Sequence, residues 1–172
     1  MFKKLNFFRK STEKSYEKDV EYLRYSAMEL CDELTSSTLA HLDIKDYKYD
    51  TAQAAAELGL DEELVQQLVE DYVAQIIKAV IQFNIYLEKL QDNQDEKKEL
   101  DYTPFRELAH NNLGVARNLR IKDAEILLYE LMKKDDIEYL LTCLEALKFC
   151  AIKLKPKCAY DTIKLMKIKN SL

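Results

Sequence analysis

Glycine and proline are scarce in this chain, with two of each in 172 residues. So few of them leave little room for tight turns, and the abundance of Leu, Lys, Glu, Ala and Tyr favours helix throughout, so an all-α protein is expected. Histidine is just as scarce, at two. There is also no glycine-rich phosphate loop, no serine in a G-x-S-x-G setting and no paired-carboxylate motif, so the sequence offers nothing on which to build a metal enzyme or a nucleophilic hydrolase. No bound cofactor or metal is expected. Apolar runs of the ~18 residues that span a bilayer are absent. The basic stretch Met1 to Lys10, although it carries Phe2, Phe7 and Phe8, lacks a signal-peptide core and reads as a short disordered or docking tail. Stable membrane insertion is excluded on this reading, and a cytoplasmic location is expected. With 26 basic and 31 acidic residues intermixed and a net charge of −5, the chain has no broad basic face for a phosphate backbone, which argues against nucleic acid as a partner. The four cysteines, Cys31, Cys143, Cys150 and Cys158, have neither C-x-x-C spacing nor a histidine at metal-ligand distance. They read as reduced thiols in a reducing compartment.

What is present is 48% apolar and 33% charged, enough for one well-packed core. From Thr12 to Leu39 the residues Tyr16, Val20, Leu23, Ala27, Leu30 and Leu34 recur at alternating steps of four and three, a narrow heptad-like seam. This helix needs a partner surface. Its own chain is favoured, and a homodimer through residues 12–39 is the other option. His41 follows it and reads as a helix-end or loop residue. A tyrosine-rich connection, Asp43 to Asp50, leads to a short helix over Thr51 to Leu58 closed by Gly59. Asp61 as N-cap, with a staple from Leu60 to Val65, opens a long helix to Gln91, roughly 45 Å at 1.5 Å per residue. Val65, Leu68, Tyr72, Val73, Ile76, Val80, Phe83, Leu87 and Leu90 form its core face. After a charged connector, Asp92 to Asp101, Thr103 as N-cap and Pro104 at the first position begin the next helix. The chain turns after Arg120 and returns over Asp123 to Lys133, with Ala124, Leu127, Leu128 and Leu131 inward. Asp135 and Glu138 suggest a capping box for a helix over Asp136 to Leu154, and Pro156 and a short helix, Cys158 to Ile168, close the chain.

One of the two glycines, Gly114, lies inside the helix that begins at Thr103, one turn after His110. Glycine inside a helix costs roughly 1 kcal/mol against alanine, so its presence on the histidine's face suggests that something approaches closely there. At ~100° per residue, Phe105, Leu108, Ala109, Asn112, Val115, Ala116 and Leu119 share an apolar stripe, while His110, Gly114, Arg106 and Arg117 point away from it. His110 is thus expected to be exposed between two cations. An imidazole offers a neutral, nucleophilic form near neutral pH, and guanidinium groups attract a phosphoryl group. Asn112 is a polar interruption of the stripe that requires a hydrogen-bond partner the sequence does not name.

The run Ala109-His110-Asn111-Asn112-Leu113-Gly114-Val115-Ala116-Arg117-Asn118-Leu119 resembles the phosphorylatable helix of histidine-containing phosphotransfer (HPt) domains. The family pattern is His, any residue, Leu, Lys, Gly, with a second glycine where the helix ends. His110 and Gly114 match it; Asn112 stands at the leucine, Leu113 at the lysine and Arg120 at the closing glycine. The helices starting near Asp61, Thr103, Asp123 and Asp136 have lengths and connections suited to an antiparallel four-helix bundle, which is the architecture the resemblance implies. The expected organisation is a tail and amphipathic helix over residues 1–50 and an HPt-like bundle with a short C-terminal helix over 51–172.

The resemblance implies that His110 accepts a phosphoryl group from a phospho-aspartate and passes it on. Its partners would be response-regulator receiver domains or a hybrid histidine kinase. Mg²⁺ and most of the catalysis would come from the receiver, so the chain would be a carrier and not an enzyme. Arg106 and Arg117 would replace the missing lysine, Gly114 would give clearance, and Leu113, Glu107 and Asn111 would form the docking surface. If only the lysine is missing, Leu113→Lys should speed transfer. The competing readings are a docking module that phosphorylates poorly and a purely structural helical protein, dimeric or not.

Overall fold

The computed structural model describes the backbone of residues 2–170 and the side chains of residues 12–169. The described chain is all-helical. Its elements are α1 (Phe2–Ser36), a 3-10 turn (Ala40–Leu42), α2 (Thr51–Leu58), α3 (Glu62–Asp95), α4 (Thr103–Asn118), α5 (Lys122–Lys133), α6 (Ile137–Leu154) and α7 (Pro156–Asn170). No described helix is long and apolar enough to cross a membrane. The N-terminal stretch expected to be a loose tail continues the helical backbone of α1, while the side chains of Phe2, Phe7 and Phe8 lie outside the described residues.

Helices α3 and α6 pack on each other and carry two groups. Helix α4 packs on α3 and α5, and α5 packs on α6; α1 and α7 pack together, with α1 also on α6 and α7 on both α3 and α6. The first helix is therefore partnered by its own chain. One apolar cluster joins Ala27, Cys31 and Leu39 from the N-terminal region to Val73, Phe83, Leu127 and Leu147. In α5 the expected residues Ala124, Leu127, Leu128 and Leu131 are all buried.

Two helix faces differ from the sequence expectation. In α1, Leu30 is 44% exposed and Cys31 is 2% exposed. The inward residues Val20, Ala27, Cys31 and Thr35 follow a full helical period, because a straight α-helix drifts by about 20° per heptad from a strict seven-residue seam. The partner surfaces are α6 and α7 of the same bundle, not a second helix of a coiled coil, so nothing forces the tighter period. In α4, the stripe is centred on Phe105, Ala109, Asn112, Leu113 and Ala116. Leu113 is 3% exposed, so it forms no docking surface.

The ends of the helices show how a glycine-poor chain turns. Gly59 takes φ 66°, and the Leu60 amide reaches back to the Ala55 carbonyl at 3.1 Å, a glycine-type helix stop. Elsewhere Asp43, Lys97 and Arg120 adopt left-handed backbone, at φ 54°, 57° and 62°. At Arg120 the Ile121 amide bonds the Ala116 carbonyl at 3.0 Å, so α4 ends in the geometry that glycine serves best. A side chain there costs about 1–2 kcal/mol. Arg120 Nε offsets part of this through Glu57, at 3.1 Å, and the phenols of Tyr49 and Tyr47 donate to the Leu119 and Arg120 carbonyls at 2.8 and 3.1 Å. The tyrosine-rich connection thus holds the end of α4 in place of water.

Three capping expectations shift by a residue or lose their hydrogen bond. Asp101 accepts from the Thr103 amide at 3.0 Å, where Thr103 itself had been expected to cap α4. Asp136, not Asp135, caps α6 by accepting from the Tyr139 amide at 3.1 Å. Asp61 stands at the N-cap of α3 without a side-chain bond. Pro156 does more than end α6: it occupies the first turn of α7, where its missing N–H has no helical acceptor to lose.

Candidate functional site

The inner face of α4 fixes its outer face. Phe105 packs edge-on against Phe83 of α3, with ring centroids 5.0 Å apart. Asn112, 2% exposed, donates from Nδ2 to the Leu108 carbonyl at 2.8 Å and accepts at Oδ1 from Gln75 of α3 at 3.0 Å. The polar interruption in the stripe is therefore satisfied, and it pins α4 to α3 in one register. No buried side-chain nitrogen or oxygen among the described residues lacks a partner.

With the rotation of α4 set in this way, Arg106, Glu107, His110, Asn111, Gly114 and Arg117 face outward. His110, Arg106, Glu107 and Asn111 line one open depression of about 430 Å³, together with Thr103 and with Met132 of α5. The imidazole of His110 has no hydrogen-bond partner among the described residues. Arg106 lies 5.0 Å over the Tyr102 ring, a cation–π contact that orients the guanidinium without occupying it with a carboxylate. Glu107 brings negative charge to the same depression, which Arg106 must offset for any anionic guest.

Three other residues singled out by the sequence are arranged differently. Arg117 is committed to Glu125 of α5, with Nε and Oε1 2.9 Å apart, and does not line the depression. Leu113 is turned into the core, so a lysine there would be buried rather than placed beside His110. Gly114 is open: a Cβ built on it would meet nothing within 4 Å. The chain's own packing does not require glycine there, and the surface beside His110 is left as bare backbone.

Two arrangements have no counterpart in the sequence reading. His41 Nε2 lies 3.1 Å from the Tyr139 hydroxyl, which donates to Glu130 at 2.7 Å. Because that hydroxyl's proton is directed at Glu130, His41 serves as the donor, which ties the 3-10 turn to α6 and α5. Burial, reinforced by the Glu130 carboxylate, pushes the Tyr139 phenol up. The second arrangement is a set of half-buried polar side chains beside Cys150. Asp123 is held above the ordinary carboxylate range by burial. It faces a cavity of about 230 Å³ shared with Tyr47, Tyr49, Cys150 and Lys153. Neither arrangement leaves a local motif, since Asp123 and Cys150 come from different helices and His41 and Tyr139 are 98 residues apart.

Comparison of the chain with protein-family models, curated proteins and solved structures finds no match.

Proposed function

We propose that this chain is a phosphoryl carrier of the HPt kind, with His110 as its acceptor. The observation that carries this reading is the exposed, unpartnered imidazole of His110 in a depression it shares with Arg106, one turn from open backbone at Gly114. In this proposal α3, α4, α5 and α6 form the antiparallel four-helix bundle, each packing on the next and α6 returning to α3. His110 Nε2 attacks the phosphorus of a phospho-aspartate on a receiver domain, the N–P bond forms, and the aspartate oxygen leaves with the electrons of the broken O–P bond. The receiver's acidic pocket and Mg²⁺ supply the metal chemistry. Arg106 neutralises the equatorial oxygens, Glu107 and Asn111 form the polar rim of the docked surface, and Gly114 admits the receiver's loops. A cytoplasmic site of action follows from this partner.

Two observations favour the second reading, a receiver-docking module that phosphorylates poorly. The family's lysine position is buried here, and Arg117 is already paired with Glu125. One cation then serves where two had been expected. Incubation with phosphorylated receiver domains separates the readings. Acid-labile, alkali-stable label on the wild type and not on His110→Gln is the expected result. Binding without label would establish the docking module, and absence of both would overturn both readings.

A further inference from the structure

Cys31 of α1 and Cys150 of α6 face each other across the seam between these helices, with their sulfurs 3.8 Å apart and 119 residues between them in sequence. Both are free thiols. Lys153, one turn further along α6, donates from Nζ to Cys31 Sγ at 3.9 Å. The Asp123 carboxyl lines the same cavity as Cys150, which is bounded also by Tyr47, Tyr49 and Lys153. The pair is therefore buried, has a cation on the Cys31 sulfur and a carboxyl in the cavity beside Cys150, and touches a space large enough for a small solute. The remaining cysteines lack such company: Cys143 is buried and pushed up to about 12, and Cys158 donates to the Glu70 carbonyl at 3.2 Å.

We propose that Cys31 and Cys150 form a redox site, a dithiol that a small hydroperoxide converts to an intramolecular disulfide tying α1 to α6. Cys31 is the nucleophile: the Cys150 thiol lies against its sulfur and the Lys153 ammonium points at it, and together they hold the thiol below its usual range. Its thiolate attacks one oxygen of hydrogen peroxide; the O–O bond breaks and the departing hydroxide takes a proton to leave as water, giving a sulfenic acid on Cys31. Cys150, its proton passing to Asp123, then attacks Cys31 Sγ. The S–S bond forms, the S–O bond breaks, and the hydroxide leaves as a second water. Two thiols and one peroxide become one disulfide and two waters. The sulfurs must close from 3.8 Å to about 2.05 Å for the bond to form. This site is independent of the role of His110.

The test is titration of the reduced, full-length chain with hydrogen peroxide, followed by alkylation of the remaining thiols and non-reducing peptide mapping. The expected product loses two of its four free thiols, carries one peptide pair joined through Cys31 and Cys150, and has a raised urea midpoint. Cys150→Ser should stop at a sulfenic acid on Cys31 that dimedone traps, and Lys153→Met should form the same disulfide several-fold more slowly. The proposal is overturned if Cys31 and Cys150 stay alkylatable while Cys158 is oxidised. It is overturned equally if Cys150→Ser yields no sulfenic acid although its circular dichroism matches the wild type. Mapping of the unmutated chain decides the matter even if a variant fails to fold.

Discussion

The outer face of α4 and the seam between α1 and α6 hold the chain's reactive side chains in opposite ways. On α4, His110 is exposed, unpartnered and next to bare backbone, and its reactivity is available to whatever docks. At the seam, the Cys31 and Cys150 sulfurs are buried against each other, with half-buried Lys153 and Asp123 beside them at a cavity of about 230 Å³. In this account, the two places differ in burial: an exposed imidazole meets a docked domain, and a buried thiol pair meets a small solute. On α4 the ion pair is screened by solvent, and Arg117–Glu125 contributes at most ~1 kcal/mol.

The largest effect that would break this contrast is on His110. His110→Gln is expected to abolish phosphoryl acceptance while unfolding within ~0.5 kcal/mol of the wild type, as an exposed position should. A loss of stability on the scale of a core mutation would show that His110 is structural. Leu113→Lys moves in the other direction. It is expected to cost about 3 kcal/mol or more in urea unfolding, by removing a core leucine and burying an ammonium, without speeding transfer. Faster transfer at unchanged stability would mean that position 113 faces the receiver after all.

Next is Asp123, whose carboxyl is raised by burial. Its native form binds a proton more tightly than the unfolded chain does, so its contribution to stability is complete below the ordinary carboxylate range. That contribution is lost as pH rises through the raised native value. The stability of Asp123→Asn relative to the wild type should therefore grow with pH across that window and level off above it; parallel profiles would place the carboxylate in water. Gly114→Ala should stabilise by about 1 kcal/mol, since its Cβ meets open space, yet slow phosphoryl transfer by crowding the receiver. A gain in stability with unchanged transfer would remove the docking role. Smallest of all, Arg120→Gly should raise stability by up to ~1 kcal/mol, because relief of the left-handed backbone exceeds the loss of an exposed pair with Glu57.

The part legible in sequence was the part written locally. The inward set of α5, the stop at Gly59 and the outward face of His110 and Arg106 each follow from spacing within a few turns. Where the reading failed, the deciding term came from another helix. Leu113 is buried because Gln75 and Phe83 of α3 set the rotation of α4, and its own spacing puts it at the margin of the stripe. Cys31 displaces Leu30 because α1 lies on α6 with no coiled-coil partner to hold a heptad. The partner of Asn112 lies 37 residues away, and the thiol pair spans 119, distances at which periodicity carries no information. The turn after Arg120 was readable, but the tyrosines that hold it were not.

The most direct measurement is intact-mass and fragment analysis of the wild type at neutral pH after incubation with a phosphorylated receiver domain. The account predicts one added phosphoryl group, located on His110 and lost on acid treatment. A phosphoryl group on any other residue, or none on a chain that stays folded and reduced with every receiver tried, would contradict it.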